Sequence, residues 1–260
     1  MNSVPVLATG EANDRATTLR NRARLRQNRN LLFWYQQLYR HQFNDFRAVD
    51  ELSILEVGSG TSPLKLFHPN VLTSDVLQLD YLDLVFDCHN IDKLPAIDDG
   101  TLHVITLTNV LHHLRSPIDF LNRAAVKLKP GGKLIATEPF FSMTSSLIFK
   151  YLHHEAVDLE ITEPELREMR GPLASANIAL PWLIFYRDKK WLQSLGERFD
   201  LARISLRPFT AISYFATGGI SRRLPIPGFL YRVLFAVDLA LSRRFPRPCA
   251  SFFTVTLIRR

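Results

Sequence analysis

The feature that most constrains the fold of this chain is a short apolar run that ends in a carboxylate and two glycines, Ser-Ile-Leu-Glu-Val-Gly-Ser-Gly at 53–60. Its apolar part, Ile54–Val57, is typical of a strand buried on both faces, as in the centre of a parallel sheet. Glycines directly after such a strand allow a sharp turn, and they let a ligand approach where a Cβ would block it. Thr61 or Ser62 can then cap a following helix. The sequence therefore predicts a strand, a glycine turn and a helix, which favours an α/β fold.

The spacing of the glycines restricts the class of ligand that the loop can bind. A dinucleotide-binding loop with the pattern G-x-G-x-x-G would need glycine at position 63, where this chain has Pro63. Glu56 stands two residues before Gly58, and the pattern Glu-x-Gly-x-Gly resembles the first motif of class I S-adenosylmethionine-dependent methyltransferases. In that family the loop holds the methionine end of the cofactor. The resemblance implies that Glu56, Gly58 and Gly60 bind S-adenosylmethionine.

The resemblance continues along the chain in the order of the family's motifs. Val71–Val76 is similar to the second strand, whose terminal acid binds the ribose hydroxyls, and this implies Asp75. Leu84–His89 is similar to the segment whose acid meets the adenine amino group, and this implies Asp87. The neighbouring Cys88 would supply a backbone amide. The resemblance thus assigns the ribose and the adenine to separate segments.

Two later segments look like the fourth and fifth strands, Leu102–Leu114 and Leu128–Pro139. Ligands of parallel sheets bind beyond the carboxyl ends of the strands, so Asn109 joins the predicted cofactor-binding residues. His112 and His113 follow it, and we interpret both as the start of a helix. The predicted cofactor residues should therefore surround one crevice.

The resemblance implies a doubly wound, seven-stranded, mostly parallel sheet of the Rossmann-like methyltransferase type, with helical insertions. We expect Leu201–Leu206 and Phe252–Ile258 to be the sixth and seventh strands, which form the antiparallel hairpin that closes the sheet. The chain departs from the family in two ways. Ser62 stands where a third glycine is frequent, and Asp75 follows Gly60 so closely that the first crossover must be compact.

At 260 residues and 47% apolar composition, the chain can bury one α/β domain. We predict a disordered tail at 1–14, an N-terminal helical lid over the cofactor cleft at 15–50, and the methyltransferase domain at 51–260. Insertions at about 140–190 and 207–250 interrupt that domain. The second is too long for a hairpin loop and is expected to act as a lid.

The spacing of the cysteines and the length of the apolar segments help to predict the cellular compartment of the protein. Cys88 and Cys249 lie far apart in apolar runs, so neither a disulfide framework nor a zinc site of the cysteine type is indicated. We find no secretory signal and no window of about eighteen apolar residues without charge. We expect a cytoplasmic protein that can contact a membrane peripherally.

The net charge of +7 is concentrated in the last sixty residues, which hold ten arginines and a single acid, Asp238. A second basic cluster lies near the N-terminus and consists of Arg15, Arg20, Arg22, Arg24, Arg26 and Arg29. Such clusters mark nucleic acid, an anionic membrane surface or an acidic substrate, and equally a solvated face. Neither cluster matches a nucleic-acid reading motif, so we favour a small-molecule, lipid or saccharide-type acceptor.

Candidate catalytic residues lie in the first insertion, at His153, His154 and Glu155. If the acceptor is a hydroxyl, a base must remove its proton, and these are the candidates. His154 and Asp158 have the i, i+4 spacing of metal ligands, but they lack an obvious third ligand, so we expect no metal.

We therefore predict an S-adenosylmethionine-dependent methyltransferase that O-methylates a small molecule, a lipid or a saccharide. Two alternatives stay open. One is a non-catalytic binding or scaffold protein that keeps the cofactor fold at an anionic surface, and the other is an RNA methyltransferase.

Overall fold

The computed structural model describes residues 6–152, 155–169, 171, 175–220 and 222–260. The strands are β1 Ile54–Val57, β2 Leu72–Asp75, β3 Leu84–Val85, β4 Leu102–Thr108, β5 Leu128–Pro139, β6 Ser205–Phe209 and β7 Phe252–Ile258. The α-helices are α1 Val6–Gln27, α2 Arg29–Gln42, α3 Leu64–Phe67, α4 Pro117–Lys127, α5 Met143–Leu152, α6 Leu180–Trp182, α7 Ser213–Ala216, α8 Gly228–Arg244 and α9 Pro246–Cys249. Short 3-10 and π turns connect several of them.

The seven strands form one sheet in the order β3-β2-β1-β4-β5-β7-β6. Strands β1 to β5 pair in parallel, and β7 pairs antiparallel with both β5 and β6. The predicted doubly wound, mostly parallel sheet is therefore confirmed, including its antiparallel closing pair. The carboxyl ends of β1, β2, β3 and β4 meet along one edge, where such sheets bind ligands.

Helices cover both faces of the sheet because successive strand side chains point to opposite sides. On β1, Ile54 joins the buried cluster that includes α2 and α8, whereas Leu55 joins the cluster that includes α4. The same alternation places Glu56 on the α2 side. The residue that ends the apolar run is thus directed toward the N-terminal helices.

Helix α2 has the periodicity of a helix with one buried face. Leu31, Trp34 and Leu38 recur every three or four residues and are completely buried. The side chain of Asn28 caps the helix by accepting the backbone N–H of Leu31 at 3.1 Å. At its other end, Gln42 Nε2 donates to threonine hydroxyls of β4 and β5. Helix α2 is therefore fixed to the sheet by apolar burial and by a satisfied polar end.

Two boundaries differ from the predictions. Strand β6 begins at Ser205 rather than Leu201, because 201–203 form a 3-10 turn capped by Asp200, which accepts the Ala202 N–H at 3.1 Å. Helix α1 begins at Val6, whereas the sequence predicts helix from residue 15 and a disordered tail at 1–14. Within the described residues no helix is both long and apolar enough to cross a membrane.

Candidate active site

The glycine loop follows β1 and shows why Gly58 must be glycine. Its φ of +76° is one that L side chains rarely adopt, and a Cβ there would lie 2.4 Å from a Val110 methyl group. The chain after β4 thus packs directly against the loop after β1. Packing against Val110 therefore requires glycine at position 58, in addition to the predicted approach of a ligand.

Gly60 is enclosed by three other parts of the chain. A Cβ there would lie 2.9 Å from both Asp75 Oδ2 and Thr18 Cγ2. The Gly60 carbonyl accepts the Tyr81 hydroxyl at 2.5 Å, and Arg22 stacks 3.7 Å from the Tyr81 ring centre. Helix α1 therefore rests on the loop, at the place predicted for the N-terminal lid.

Glu56 is buried on the α2 side of the sheet. Ser62 donates its hydroxyl proton to Glu56 Oε1, so Tyr39, 2.8 Å from the Ser62 oxygen, must be the donor to Ser62. The other oxygen, Glu56 Oε2, is buried without a hydrogen-bond partner. Burial raises the pKa of Glu56 to about 7, against the opposing hydrogen bond from Ser62. This carboxyl can therefore change its charge when a cation or donor arrives.

Asp75 ends β2 and ties the loop to the neighbouring strand. Its carboxylate accepts the backbone N–H of Gly60 at 2.9 Å and that of Leu77 at 3.0 Å. Burial raises the pKa of Asp75, although these backbone hydrogen bonds oppose the shift. A carboxylate has about four acceptor positions, so Asp75 keeps room for a further donor, and its assignment to the ribose stays a prediction.

Asp87 and Cys88 follow β3. The Asp87 side chain is exposed, caps a 3-10 turn through the His89 N–H at 3.0 Å, and lies 2.8 Å from His89 Nδ1. Burial raises the pKa of the Cys88 thiol, so it stays protonated at neutral pH. Asp87 is available to a ligand at the end of β3, and its assignment to the adenine stays a prediction.

Asn109 leaves β4 in a left-handed conformation, with φ of +56°. Its backbone N–H donates to the Thr137 carbonyl at 2.9 Å, whereas its side-chain Oδ1 is buried without a partner. Native proteins rarely leave buried polar atoms unpaired, so such an atom suggests a ligand group. Glu56 and Asn109 both show this property at the edge predicted to bind the cofactor.

A second group of side chains lies just beyond the end of β4. Glu138, fully buried near the end of β5, accepts the backbone N–H groups of Val110 and Leu111 at 2.9 and 2.8 Å through Oε1. Its Oε2 lies 2.6 Å from His112 Nδ1. The carboxylate therefore fixes the tautomer of His112 and leaves Nε2 as the atom that faces outward.

Glu155 meets this pair from the first insertion. Its carboxylate oxygens lie 3.4 Å from His112 Nε2 and 3.9 Å from His113 Nε2. The Nδ1 atom of His113 donates to the Ser175 carbonyl at 2.9 Å. The ligand atoms of His112, His113 and Glu155 all lie within 4.8 Å of one another.

The two histidines titrate in opposite directions. Burial alone would lower the pKa of His112, but Glu138 and Glu155 outweigh it and raise the pKa to about 10. Burial and the positive charge of His112 lower the pKa of His113 to about 4. At neutral pH the structure therefore holds a charged His112 between two carboxylates, beside a neutral His113.

Of the three predicted catalytic residues, the structure places Glu155 at this cluster, and His153 and His154 lie outside the described residues. Sequence reasoning missed Glu138 and interpreted His112 only as a helix start. His112 does lie in a one-turn 3-10 helix, Leu111–His113. A signal for Glu138 was present, since it is the acid at the carboxyl end of the fifth strand, where ligands of parallel sheets bind.

Comparison with known proteins identifies one family. A family model described as a methyltransferase domain matches residues 18–202. A crystal structure of an S-adenosylmethionine-dependent methyltransferase from Archaeoglobus fulgidus aligns with 15% identity and a TM-score of 0.45, covering 91% of this chain and 92% of that one. Another from Mesorhizobium loti aligns with 15% identity and a TM-score of 0.44, covering 85% and 97%. No curated protein matches the chain.

Proposed function

Because this chain belongs to the S-adenosylmethionine-dependent methyltransferases, whose domain model it matches over 18–202, we propose that it methylates a hydroxyl group of an amphiphilic small molecule, lipid or saccharide. The observation that carries the choice of a hydroxyl is the Glu138–His112 pair, because a hydroxyl must lose a proton on methylation. A neutral amine, in contrast, attacks with its lone pair before it loses a proton.

The residues at the edge of the sheet fit the cofactor. Glu56 Oε2 and Asn109 Oδ1 are buried acceptors without partners, and S-adenosylmethionine carries an ammonium group and hydroxyls that can donate. Asp75 retains acceptor positions for the ribose, and Asp87 is exposed at the end of β3. When bound, the cofactor supplies a methyl group that is already a strong electrophile. The protein therefore has to position the acceptor and take up a proton.

His112 is proposed as the group that takes the proton. The hydroxyl oxygen forms the new C–O bond as the C–S bond breaks, and the hydroxyl proton moves to His112 Nε2. Glu138 holds Nδ1 from the opposite side, as the third group does in the Ser-His-Asp arrangement, and stabilises the imidazolium that forms. His112 is thus a base held by a buried carboxylate that the backbone amides of Val110 and Leu111 keep in place.

Glu155 occupies the acceptor side of His112 before the acceptor binds. Because its carboxylate helps to raise the pKa of His112, the imidazole can accept a proton only after this interaction is weakened. We propose that Glu155 takes the Nε2 proton of the imidazolium and moves away as a carboxylic acid, and that the acceptor hydroxyl then occupies its position in front of the neutral Nε2. Acceptor binding would then both place the hydroxyl and lower the pKa of the base.

The test measures S-adenosylhomocysteine release with separated lipid, aqueous and RNA fractions of a cell extract as acceptors, followed by mass spectrometry of the methylated product. His112→Ala and Glu138→Gln should each reduce turnover about a hundredfold or more while cofactor affinity is preserved. His68→Ala is the matched control, since His68 pairs with Asp50 on the surface. It should leave turnover unchanged.

Four results would contradict the proposal. Near-normal turnover in both variants would place the base elsewhere, and methylation confined to the RNA fraction would support the RNA methyltransferase. Cofactor binding without release from any fraction would support the scaffold protein. The assay is repeated with a chelator because His112, His113 and Glu155 have the spacing of cation ligands. Activity lost to the chelator would indicate metal-assisted activation of the acceptor instead of proton removal by His112.

A further inference from the structure

Helix α8 carries an apolar stripe on its exposed side. Its buried face holds Asp238 and Ser242 beside Tyr231 and Phe235. Phe229 is 70% exposed, Val233 62% and Val237 55%. These residues and Leu241 recur at intervals of four and form a continuous stripe on one side of the helix. An ordinary surface helix exposes polar residues on its outward side, so this stripe needs an explanation other than folding of the domain.

Hydrogen bonds of the buried Asp238 fix the orientation of α8 in the domain. The Asp238 carboxylate accepts the backbone N–H groups of Ala211, Ile212 and Ser213 at 2.8 to 3.2 Å. Tyr231, also buried, donates its hydroxyl to the Ser213 carbonyl at 3.0 Å. The outward stripe is therefore the consequence of a fixed helix orientation.

A second exposed apolar stripe lies on α5, where Met143, Leu147 and Tyr151 recur at intervals of four. Met143 is 74% exposed. The neighbouring Thr144 donates to the Pro248 carbonyl of α9 at 2.8 Å, and α9 directly follows α8. The start of α5 therefore lies near the end of α8, and together they enlarge the apolar surface.

The charges around this surface have one sign. Exposed arginines lie before, within and after α8, namely Arg222, Arg223, Arg232, Arg243, Arg244 and Arg247. From residue 201 to the last residue the only acid is Asp238, which is buried. In a two-fold pair of chains joined through this surface, these arginines would approach one another. A partner with an apolar interior and negative head groups would be complementary to both the stripe and the charges.

We propose that α8 lies in the interface of an anionic lipid membrane, with Phe229, Val233 and Val237 among the acyl chains and the arginines at the head groups. We call this surface the α8 face, defined by Phe229, Leu230, Val233, Val237 and Leu241 with the six arginines above. A helix with an apolar stripe flanked by arginines binds in the plane of the interface. The proposal goes beyond methyl transfer and does not require it, because binding is measured without cofactor or acceptor.

The α8 face is also connected to the active site. Asp238 holds the start of α7, and α7 carries Tyr214, whose raised pKa of about 12 reflects burial first and then the nearby charge of Glu155. The helix that carries the α8 face is thus hydrogen-bonded to the segment that bears Tyr214.

The experiment measures flotation of the full chain with vesicles of neutral phosphatidylcholine and with vesicles containing 30 mol% phosphatidylglycerol. We expect binding to the anionic vesicles that falls as salt rises. Arg222→Gln/Arg223→Gln should weaken it at least tenfold, because each arginine near an anionic surface contributes about fivefold. The matched control Lys189→Gln/Lys190→Gln removes the same charge from exposed positions outside α8 and should change binding less than twofold. Val233→Ser/Val237→Ser should reduce vesicle binding without lowering thermal stability, since both side chains are already exposed.

Equal and negligible association with both vesicle types would overturn the proposal. The arginines would then be interpreted as part of an ordinary solvated surface. Sedimentation equilibrium showing a dimer that Val233→Ser/Val237→Ser dissociates would also overturn the proposal, because the α8 face would then be a contact between two copies. Failure of methyl transfer leaves the vesicle result unchanged, so the two proposals can fail separately.

Discussion

The proposed cofactor side and the proposed acceptor side of the site differ in how their polar groups are satisfied. On the cofactor side, Glu56 Oε2 and Asn109 Oδ1 are buried without partners. On the acceptor side, Glu138, His112 and Glu155 satisfy one another within 3.4 Å. The first side is prepared to receive a ligand, whereas the second must exchange an existing partner for one. Changes on the cofactor side should therefore alter binding, and changes on the acceptor side should alter turnover and its pH dependence.

The largest expected effect is that of Gly58→Val, which should remove measurable S-adenosylmethionine binding in titration calorimetry. A branched side chain at φ of +76° is strained by about 1–2 kcal/mol, and its Cβ would overlap Val110 at 2.4 Å. The melting temperature should therefore fall as well. The double variant Gly58→Ala/Val110→Ala distinguishes the two causes of this loss. It removes the steric overlap with the Val110 side chain but keeps the unfavourable φ at position 58. Unchanged affinity in Gly58→Val would contradict the assignment of the loop.

Asp75→Ala should weaken cofactor binding by about ten- to a hundredfold, since a charge-assisted hydrogen bond contributes about 1.5–3 kcal/mol. Turnover at saturating cofactor should change much less. Asp83→Ala is a suitable control, because Asp83 lies near the same strand and holds Lys65 and Thr73 instead. A change below twofold in Asp75→Ala would show that another residue holds the ribose.

Glu155→Gln should move the pH dependence of kcat/KM without changing cofactor affinity. In the unmodified protein activity should rise toward alkaline pH, because His112 must lose its proton and its pKa is raised to about 10. Removing the Glu155 charge lowers that pKa, so the rise should occur at lower pH. Each pH unit of displacement multiplies the neutral fraction of His112 about tenfold at neutral pH. Glu160→Gln, an exposed acid of the same segment, should leave the profile in place, and an unmoved profile in Glu155→Gln would exclude His112 as the base.

The smallest expected effect is a release of less than one proton when S-adenosylmethionine binds between about pH 5 and 7. Burial raises the pKa of Glu56 to about 7, and a cationic ligand favours the ionised carboxylate, so binding lowers this pKa and expels a proton. Calorimetry in two buffers of different ionisation enthalpy measures the release. The proton release should vanish above about pH 8 and in Glu56→Gln. Persistent release in Glu56→Gln would assign the proton to another group.

Much of the fold was predictable because short sequence segments determine its individual strands and loops. Strands β5 and β7 have the predicted bounds, and the loop after β1 has the predicted position. The error at β6 arose because Asp200 caps a turn over residues that are apolar enough for a strand.

The sequence by itself determined the β1 loop, the parallel sheet and the family, because glycines at fixed spacing and continuous apolar runs act through local backbone geometry. Only the tertiary structure showed that Glu138 lies beside His112, and that α8 directs an apolar stripe outward. Both depend on contacts between residues far apart in the chain: His112 meets Glu138 across two strands, and Asp238 turns α8 by binding the start of α7. Such contacts depend on how whole elements are oriented, which the local pattern of residues does not specify.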